Sequence, residues 1–412
     1  MSRFLFVVPP LVGHVNPAVG VAAELALRGH RVAWAGEPEL IGRLAGAGAR
    51  VFPCAGRRAE AAPVVRPAHI RGPEALRFLW ERFLVPLAEA MAPGVTAAVE
   101  RFRPDVVVCD QQALAGGLVA ERLGAVWATS ATTSAEFTGA LSGMPKVQAW
   151  LTALLDGLRH RVGDPASTAD PRFSPHLVIA FTTRELCGPV SGSHGRFLGV
   201  GPSISARPDG PDFPWEWLDP ARATVLVTLG TANTDTGTRF LAECREAARK
   251  RSDRLQAVIV DPEGSAAHHN GNGNGKESEN ENAASVEPTP DKDILIRPAV
   301  PQLALLQRAA AVVCHAGHNT VCEALWHGVP LVVAPIRDDQ PVIAGQVVDA
   351  GAGIRVRFGR VTADRLGAAL DSVLDDPGPR AAAGRIGGSF RAAGGSPAAA
   401  AHLEELALEA HR

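Results

Sequence analysis

The sequence predicts an α/β protein of two domains, each built on a doubly wound parallel sheet. Apolar runs of about four to five residues alternate with segments of helical spacing, a pattern typical of parallel strands covered on both faces. The chain of 412 residues exceeds one ordinary domain and suits two. A proline-rich stretch near the middle separates two such series. We therefore expect a ligand cleft between two facing domains, beyond the carboxyl ends of their strands.

The elements of the first half follow from apolar runs bounded by turns. Strands are predicted at residues 4–8, 31–35, 51–53, 106–109 and 126–128. The first helix is predicted at residues 18–28, because its apolar residues recur with helical spacing until Gly29 ends it.

The second half repeats this alternation. Its strands are predicted at residues 225–229, 257–260, 294–297, 312–315, 331–334 and 353–356. Residues 264–293 are rich in Asn, Gly, Glu and Ser, so they bury too little surface to offset their ordering entropy and are predicted to be a disordered insertion. The chain thus divides into an N-terminal domain (1–205), a linker (206–220), a C-terminal domain (221–395) and a terminal helix (396–412).

Composition and charge exclude several classes of function. The net charge of -2 provides no global positive field for nucleic acid or an anionic membrane, so phosphates must be bound by local groups. The six cysteines lack metal-ligand spacing and are interpreted as buried thiols in a reducing compartment. No apolar run approaches the ~20 residues of a membrane span, and the N-terminal run is too short for a signal peptide. We expect a cytoplasmic protein without an integral membrane segment.

The segment 298–346 carries the strongest chemical signal. Within it, a predicted strand leads into a turn of glycine and small polar residues at 315–320, after which a helix begins. Such a turn brings backbone N–H groups and the positive helix end together, which favours binding of an anion. The helix end contributes about 0.3–1 kcal/mol per neighbouring charge. In isolation, the same turn is also typical of a helix cap beside a buried histidine.

Two candidates for base chemistry follow strands of the first half. His14 comes after the first strand, and Asp110 comes after the strand at 106–109. If those strands are neighbours, Asp110 can accept a hydrogen bond from one imidazole nitrogen and leave the other free to take a proton. A histidine pKa near neutrality suits a general base. Capping of the adjacent helices is the alternative role for both residues.

The segment around the turn carries a family pattern spread over about forty residues. Its members are His315, Gly317, Asn319, Thr320, Glu323, Gly328, Val329, Pro330, Pro335, Asp339 and Gln340. This pattern resembles the donor-binding signature of the UDP-glycosyltransferase family, in particular its bacterial macrolide and antibiotic branch. The resemblance implies the GT-B fold, with two facing Rossmann-like domains, and transfer of a sugar from a nucleotide diphosphate.

The resemblance also implies a role for each donor-binding position. These are Thr231, His315, Gly317, Asn319 and Thr320 for the diphosphate, Glu323 for the ribose, and Asp339 with Gln340 for the sugar hydroxyls. Asp338 is an alternative to Asp339. Val300 and Gln302 fall in the family's base-binding motif Trp-x-Pro-Gln, where Ala299 replaces the tryptophan. Base stacking must then come from elsewhere, such as Arg297, and uracil versus thymine stays open.

The resemblance matches both His14 and Asp110, since family members use a histidine after the first strand and often an aspartate after a later one. We hypothesise an inverting single displacement in which His14 deprotonates the acceptor hydroxyl and Asp110 stabilises the imidazolium. No metal and no cofactor is expected, because no Asp-x-Asp or His/carboxylate cluster stands where phosphates should lie. The donor substrate is expected to be a UDP- or TDP-sugar.

The acceptor pocket is expected from residues 66–93 and 129–150, which are rich in Ala, Leu, Phe and Trp. This composition favours a bulky hydrophobic aglycone, and the resemblance suggests a bacterial secondary metabolite; a carotenoid or other lipid-like alcohol stays open. Candidate contacts are Thr132, Ser134 and Glu136, types that are also common as surface or capping residues. The rival hypotheses are a GT-B nucleotide-sugar epimerase or hydrolase, and a non-catalytic nucleotide-binding accessory protein. A homodimer is compatible with the sequence.

Overall fold

The computed structural model describes residues 1–54, 67, 70, 72–192, 195–204, 211–230, 237–262 and 292–411. Within these ranges the chain forms two parallel β-sheets, one in each half. Several predictions fall wholly or partly outside the described residues. These are Thr231, residues 264–291 of the insertion, residues 206–210 of the linker at 206–220, residues 66, 68, 69 and 71 of the expected acceptor segment, and residue 412 of the terminal helix.

The first sheet contains the five strands predicted for the first half and two more. Its strands are β1 (Arg3–Val7), β2 (Arg31–Gly36), β3 (Val51–Pro53), β4 (Val106–Asp110), β5 (Trp127–Ala131), β6 (Leu177–Ala180) and β7 (Arg196–Gly199). They pair in the order β3-β2-β1-β4-β5-β6-β7. Strands β6 and β7 were not predicted; β7 is only partly buried and lacks the continuous apolar run of the other strands, whereas β6 is an apolar run like those that were predicted.

The second sheet contains the six strands predicted for the second half. They are β8 (Ala223–Thr228), β9 (Leu255–Val260), β10 (Ile294–Arg297), β11 (Ala309–Cys314), β12 (Leu331–Val333) and β13 (Gly353–Arg355). Their order is β10-β9-β8-β11-β12-β13. Because β11 ends at Cys314, His315 lies in the turn predicted at 315–320, one residue beyond the strand.

Helices cover the faces of both sheets. They are α1 (Val12–Leu27), α2 (Pro38–Ala45), α3 (Gly72–Phe78), α4 (Val85–Phe102), α5 (Ala115–Arg122), α6 (Pro145–Val162), α7 (Arg184–Cys187), α8 (Thr238–Arg249), α9 (Gln302–Leu306), α10 (His318–Trp326), α11 (Gln340–Asp349), α12 (Ala363–Asp375), α13 (Pro377–Ala393) and α14 (Gly395–Glu409). Helix α1 begins at Val12 rather than at residue 18 and runs through Pro17, so His14 lies in its first turn.

Burial on both faces explains the continuous apolar strands. In β1, Leu5 and Val7 enter one hydrophobic core while Phe4 and Phe6 enter the core on the opposite face. Burying a side chain of this size contributes about 1.5–3 kcal/mol. The six cysteines are free thiols, and all are buried.

One helical run, Gly72–Phe102, is long and apolar enough by composition to cross a membrane, which the sequence analysis did not anticipate. It joins α3 to α4 through a π-helical segment, Leu79–Leu84. In this structure Trp80, Leu84 and Met91 of the run are buried in a core of the first domain. The apolar face of the run therefore packs on protein.

The described segment after β7, up to residue 204, lies beside the junction of α13 and α14. The backbone N–H of Gly395 donates to the carbonyl oxygen of Val200 over 2.7 Å. The hydroxyl oxygens of Ser203 and Ser396 are 2.8 Å apart and buried. Helix α14, predicted as a terminal helix, thus returns to the first domain and packs on α1.

Candidate active site

A cleft of about 1940 Å³ lies between the domains. Sequence-predicted residues on its walls are His14, Thr132 and Glu136 from the first domain and His315, Gly317, Asn319, Thr320, Asp339 and Gln340 from the second. The strand order reverses between β1 and β4 in one sheet and between β8 and β11 in the other. Ligands bind at such switch points in open α/β sheets, so the cleft lies where the topology places a site.

The structure brings His14 and Asp110 together. Asp110 is the last residue of β4, which pairs with β1, and His14 follows β1 in the first turn of α1. Nδ1 of His14 lies 3.0 Å from Oδ1 and 3.1 Å from Oδ2 of Asp110. The Asp110 side chain is 0% exposed, whereas that of His14 is 17% exposed. The aspartate is therefore enclosed in protein while the imidazole reaches the cleft.

Opposing effects set the pKa of His14. Burial is the largest single effect and lowers the pKa, but the charge and hydrogen bond of Asp110, together with the charges of Asp339 and Glu136, more than offset it and raise the pKa above its usual value. The ring is thus a stronger base than an isolated histidine. The carboxylate of Asp110 favours a proton on Nδ1, which leaves Nε2 as the nitrogen that can accept one.

Thr132 contacts this pair. Its hydroxyl oxygen lies 2.8 Å from Nδ1 of His14 and donates to Oδ2 of Asp110 over 2.8 Å. Thr132 does line the cleft, as expected for an acceptor contact, but its hydroxyl is bound to the histidine and the aspartate. The position predicted to contact the acceptor is therefore bonded to the His14–Asp110 pair.

The next two residues join the domains. Oγ1 of Thr133 donates to Oδ2 of Asp339 over 2.6 Å. Oγ of Ser134 donates to Oε1 of Gln346 over 2.7 Å. Ser134 is fully buried in this contact and does not line the cleft, so its role as an acceptor contact stays a prediction.

The His315 turn faces the cleft from the second domain. The imidazole sits against two glycines: a Cβ atom would lie 2.3 Å from its Nε2 if added at Gly317, and 2.7 Å from its Cε1 if added at Gly230. Burial lowers the pKa of His315 to about 4, and the charge of Arg337 adds a smaller decrease. A hydrogen bond with the backbone of Thr228 acts in the opposite direction but does not offset burial. The ring is therefore neutral near pH 7 and offers an N–H rather than a charge.

Other polar groups of this turn lie close to the first domain. Nδ2 of Asn319 donates to the carbonyl oxygen of Gly13 over 2.6 Å, next to His14. Thr320 lies in the first turn of α10 and lines the cleft. The turn and the base are therefore adjacent across the cleft.

Several predicted donor contacts have partners within the protein. Oε1 of Gln340 accepts from the backbone N–H groups of Ile336 (2.8 Å) and Arg337 (3.1 Å), so it fixes the loop before α11. Nε2 of Gln302 donates to Oε2 of Glu323 over 2.6 Å.

Three predicted donor positions, Val300, Gln302 and Glu323, do not line the cleft in this structure. Their roles toward base and ribose stay predictions. Asp338 and Asp339 both line it, and Asp338 adopts a left-handed backbone conformation (φ 57°).

The end of the cleft where the acceptor is predicted to bind has apolar walls. It also contains the charged side chains of Glu136 and Arg172. Trp80 and Phe83 contribute apolar surface from the π-helical segment, a geometry frequent at functional sites. Oε1 of Glu136 accepts from Nε2 of Gln112 over 2.9 Å, and its Oε2 lies 3.6 Å from Arg172. Burial raises the pKa of Glu136, although Arg172 and Gln112 act in the opposite direction.

The sequence analysis missed Thr133, Arg172, Arg337 and Gln346. Thr133 follows β5 closely, so the strand-end rule that singled out Asp110 could have found it. Arg337 stands next to matched positions of the family pattern. Arg172 and Gln346 carry no local signal, because a loop and a helix bring them to the site.

Known proteins are similar to this chain along nearly its whole length. Residues 277–406 match the family model described as the C-terminal domain of erythromycin biosynthesis protein CIII-like proteins. The chain is 28% identical to 4'-demethylrebeccamycin synthase of Lentzea aerocolonigenes, covering 95% of this chain and 96% of that protein. It is 29% identical to demethyllactenocin mycarosyltransferase of Streptomyces fradiae, and the match covers 98% of this chain and 87% of that protein.

A solved structure shares the fold. The glycosyltransferase VinC, crystallised in complex with dTDP, superposes with a TM-score of 0.73 at 21% identity, covering 99% of this chain and 100% of that one. This agreement, with the two parallel sheets and the cleft between them, confirms the predicted GT-B fold. Together with the full-length relatives, it identifies the chain as a nucleotide-sugar-dependent glycosyltransferase of the GT-B fold, related to the glycosyltransferases of antibiotic and other natural-product biosynthesis.

Proposed function

We propose that this enzyme transfers a sugar, with inversion, from a UDP- or TDP-sugar to a hydroxyl group of a hydrophobic small molecule, and that His14 is the general base. One observation carries the proposal. His14, held by Asp110, lines the same cleft as the His315 turn of the other domain. A base and an anion-binding turn that face one cavity suit an alcohol attacking a carbon that bears a diphosphate.

The proposed reaction is a single displacement at the anomeric carbon of the donor. The acceptor oxygen bonds to the anomeric carbon while the bond from that carbon to the diphosphate oxygen breaks and the diphosphate leaves with the electron pair. Nε2 of His14 takes the acceptor proton, and the buried carboxylate of Asp110 stabilises the imidazolium. General-base assistance of this kind contributes about 10²–10⁴-fold. Alignment of the two substrates in the cleft contributes further.

The second domain supplies the groups proposed to hold the diphosphate. These are an N–H of neutral His315, the Thr320 hydroxyl, the positive end of α10 and, in addition to the predicted set, the guanidinium of Arg337. Arg337 is buried and lines the cleft, where a fixed positive charge favours the departing phosphate. The dTDP complex of VinC supports a thymidine donor, and the uridine donor is the alternative.

The acceptor is proposed to be a bulky, largely apolar secondary metabolite. Trp80, Phe83, Leu141, Met144 and Leu155 line the end of the cleft beside Glu136. Their surface favours an apolar ring system over a free sugar. The relatives named after rebeccamycin and lactenocin support the same class.

The test is a matrix of UDP- and TDP-sugars against hydrophobic polyol aglycones, read by mass spectrometry. We expect a product heavier than the aglycone by one sugar residue and, from the anomeric proton coupling in an NMR spectrum of that product, the opposite anomeric configuration to the donor. His14→Ala should bind the donor with unchanged affinity and lose at least about 100-fold in turnover. Donor consumed equally without any aglycone would favour a hydrolase or epimerase, and wild-type turnover in His14→Ala would refute the base assignment.

A further inference from the structure

The carboxylate of Asp110 has a defined partner set in which Thr132 takes a specific place. Its Oδ1 accepts from the backbone N–H of Gln112 over 2.8 Å and faces Nδ1 of His14. Its Oδ2 accepts from the Thr132 hydroxyl and faces the same Nδ1. Nδ1 of His14 lies 2.8 Å from Oγ1 of Thr132, which is closer than it lies to either carboxylate oxygen of Asp110.

The number of available protons decides which atom donates in each contact among His14, Asp110 and Thr132. An ionised carboxylate only accepts, so the atoms that face it must donate. Thr132 has one hydroxyl proton, and that proton is used toward Oδ2 of Asp110. The contact between Thr132 and Nδ1 therefore has the nitrogen as donor and the hydroxyl oxygen as acceptor. Nδ1 of His14 faces three acceptor oxygens and carries the proton in the neutral ring.

We propose that Thr132 is a positioning residue that fixes the tautomer and ring orientation of His14 and so keeps Nε2 unprotonated toward the cleft. This inference rests on the proposed function of His14 as the general base. A ring turned by 180° would put Cδ2 in place of Nδ1 beside the carboxylate, and the contacts that hold the proton on Nδ1 would be lost. Thr132 prevents this because it adds a third, directional contact to Nδ1 that the carboxylate alone does not supply.

A threonine of strand β5, which ends just before Thr132, provides the matched comparison. Thr129 is also buried, but its hydroxyl donates to the carbonyl oxygen of Arg172 over 3.2 Å and accepts from the backbone N–H of Ser174 over 2.7 Å. Its bonds hold a loop, whereas those of Thr132 reach the side chains of His14 and Asp110. Replacing either threonine with valine removes one buried hydroxyl at nearly constant volume.

The experiment compares Thr132→Val, Thr132→Ser and Thr129→Val by kinetics and by long-range ¹H–¹⁵N spectra of histidine-labelled protein, with His14→Gln identifying the His14 signals. We expect the wild type and Thr132→Ser to show neutral His14 protonated at Nδ1. Thr132→Val should show a mixture of tautomers and a kcat reduced about 10- to 100-fold, with KM for both substrates within about twofold. Thr129→Val should change thermal stability but not the tautomer.

The possible outcomes separate this inference from the proposed function. If Thr132→Val keeps a single Nδ1–H tautomer and wild-type kcat while the His14 variant is inactive, the positioning role is wrong and the base assignment stands. If the His14 variant is active, the base assignment itself fails. Equal losses in Thr132→Val and Thr129→Val would show a merely structural role for Thr132.

Discussion

Oγ1 of Thr133 donates a 2.6 Å hydrogen bond to Oδ2 of Asp339, and so joins the segment after β5, which includes Thr132, to the predicted sugar ligand of the other domain. The negative charge of Asp339 also acts on His14 and raises its pKa. A charge in the second domain, on Asp339, therefore affects the protonation of His14 in the first domain. A sugar hydroxyl directed at Oδ2 of Asp339 would compete with the hydroxyl of Thr133 for that oxygen.

Removing that competing hydroxyl should tighten donor binding. For Thr133→Val we expect a KM for the nucleotide sugar about threefold lower, because a hydrogen bond to a charged group no longer has to be broken. Asp339→Asn should raise the same KM at least about tenfold. Steady-state kinetics at saturating acceptor measure both. A higher KM in Thr133→Val would mean that Thr133 itself binds the sugar.

The pH dependence of the enzyme should follow the raised pKa of His14. A general base works in its neutral form, so kcat/KM should fall on the acidic side with a midpoint above the usual value of 6.5. Asp110→Asn removes the charge that raises this pKa, so the midpoint should move to lower pH while kcat drops by about 10²–10⁴-fold. A pH–rate profile of both proteins provides the measurement. An unchanged midpoint in Asp110→Asn would contradict the assignment.

The same pair should make stability depend on pH. A histidine whose pKa is raised by folding stabilises the protein fully below the unfolded value of 6.5, and this contribution disappears as the pH rises through the folded pKa. The difference in free energy of unfolding between wild type and Asp110→Asn should therefore be larger near pH 6 than near pH 9. Urea titrations at the two pH values measure it, and a larger difference at the higher pH would oppose this expectation.

The close contact at Gly317 should be essential for donor binding. In Gly317→Ala the new Cβ would lie 2.3 Å from Nε2 of His315, so the imidazole must move away from its place in the turn. We expect the affinity for UDP or TDP to fall at least about tenfold in calorimetric titration. Gly345→Ala is the control: it lies inside α11 with open space around its Cβ, and should leave affinity unchanged and add about 0.5–1 kcal/mol of stability. Equal affinities in the two variants would refute the steric argument.

Chelation of divalent metal should leave turnover intact. The proposed stabilisers of the leaving diphosphate are N–H groups of the His315 turn and the guanidinium of Arg337. We expect kcat in EDTA to stay within about twofold of the untreated value. Arg337→Met should lower kcat without making the variant dependent on added Mg²⁺. Loss of activity in EDTA that Mg²⁺ restores would overturn the metal-independent mechanism.

The sequence predicted the sheets well because each buried strand had to be apolar on both faces. The apolar strand β1, with Phe4 and Phe6 on one side and Leu5 and Val7 on the other, is the clearest case. Strand β7 lacks that double burial and was missed. The start of α1 was placed too late because a proline inside a helix is unusual, yet the helix continues through Pro17.

The contact between His14 and Asp110 was predictable from the topology of the first sheet. His14 comes after β1 and Asp110 ends β4, two strands that pair at the switch point, and this pairing brings the two side chains within 3.0 Å of each other. The roles of Thr132 and Ser134 were not predictable in the same way. Ser134 is buried because it bonds Gln346, a residue of the other domain on helix α11, and sequence spacing carries no information about that contact.

The contacts of Val200 with Gly395 and of Ser203 with Ser396 tie the start of helix α14 to the segment after β7. The apolar side of α14, including Leu403 and Leu406, is buried in a core of the first domain. Loss of this last helix would therefore open the core of the domain that carries His14, although the helix follows the second domain in the sequence.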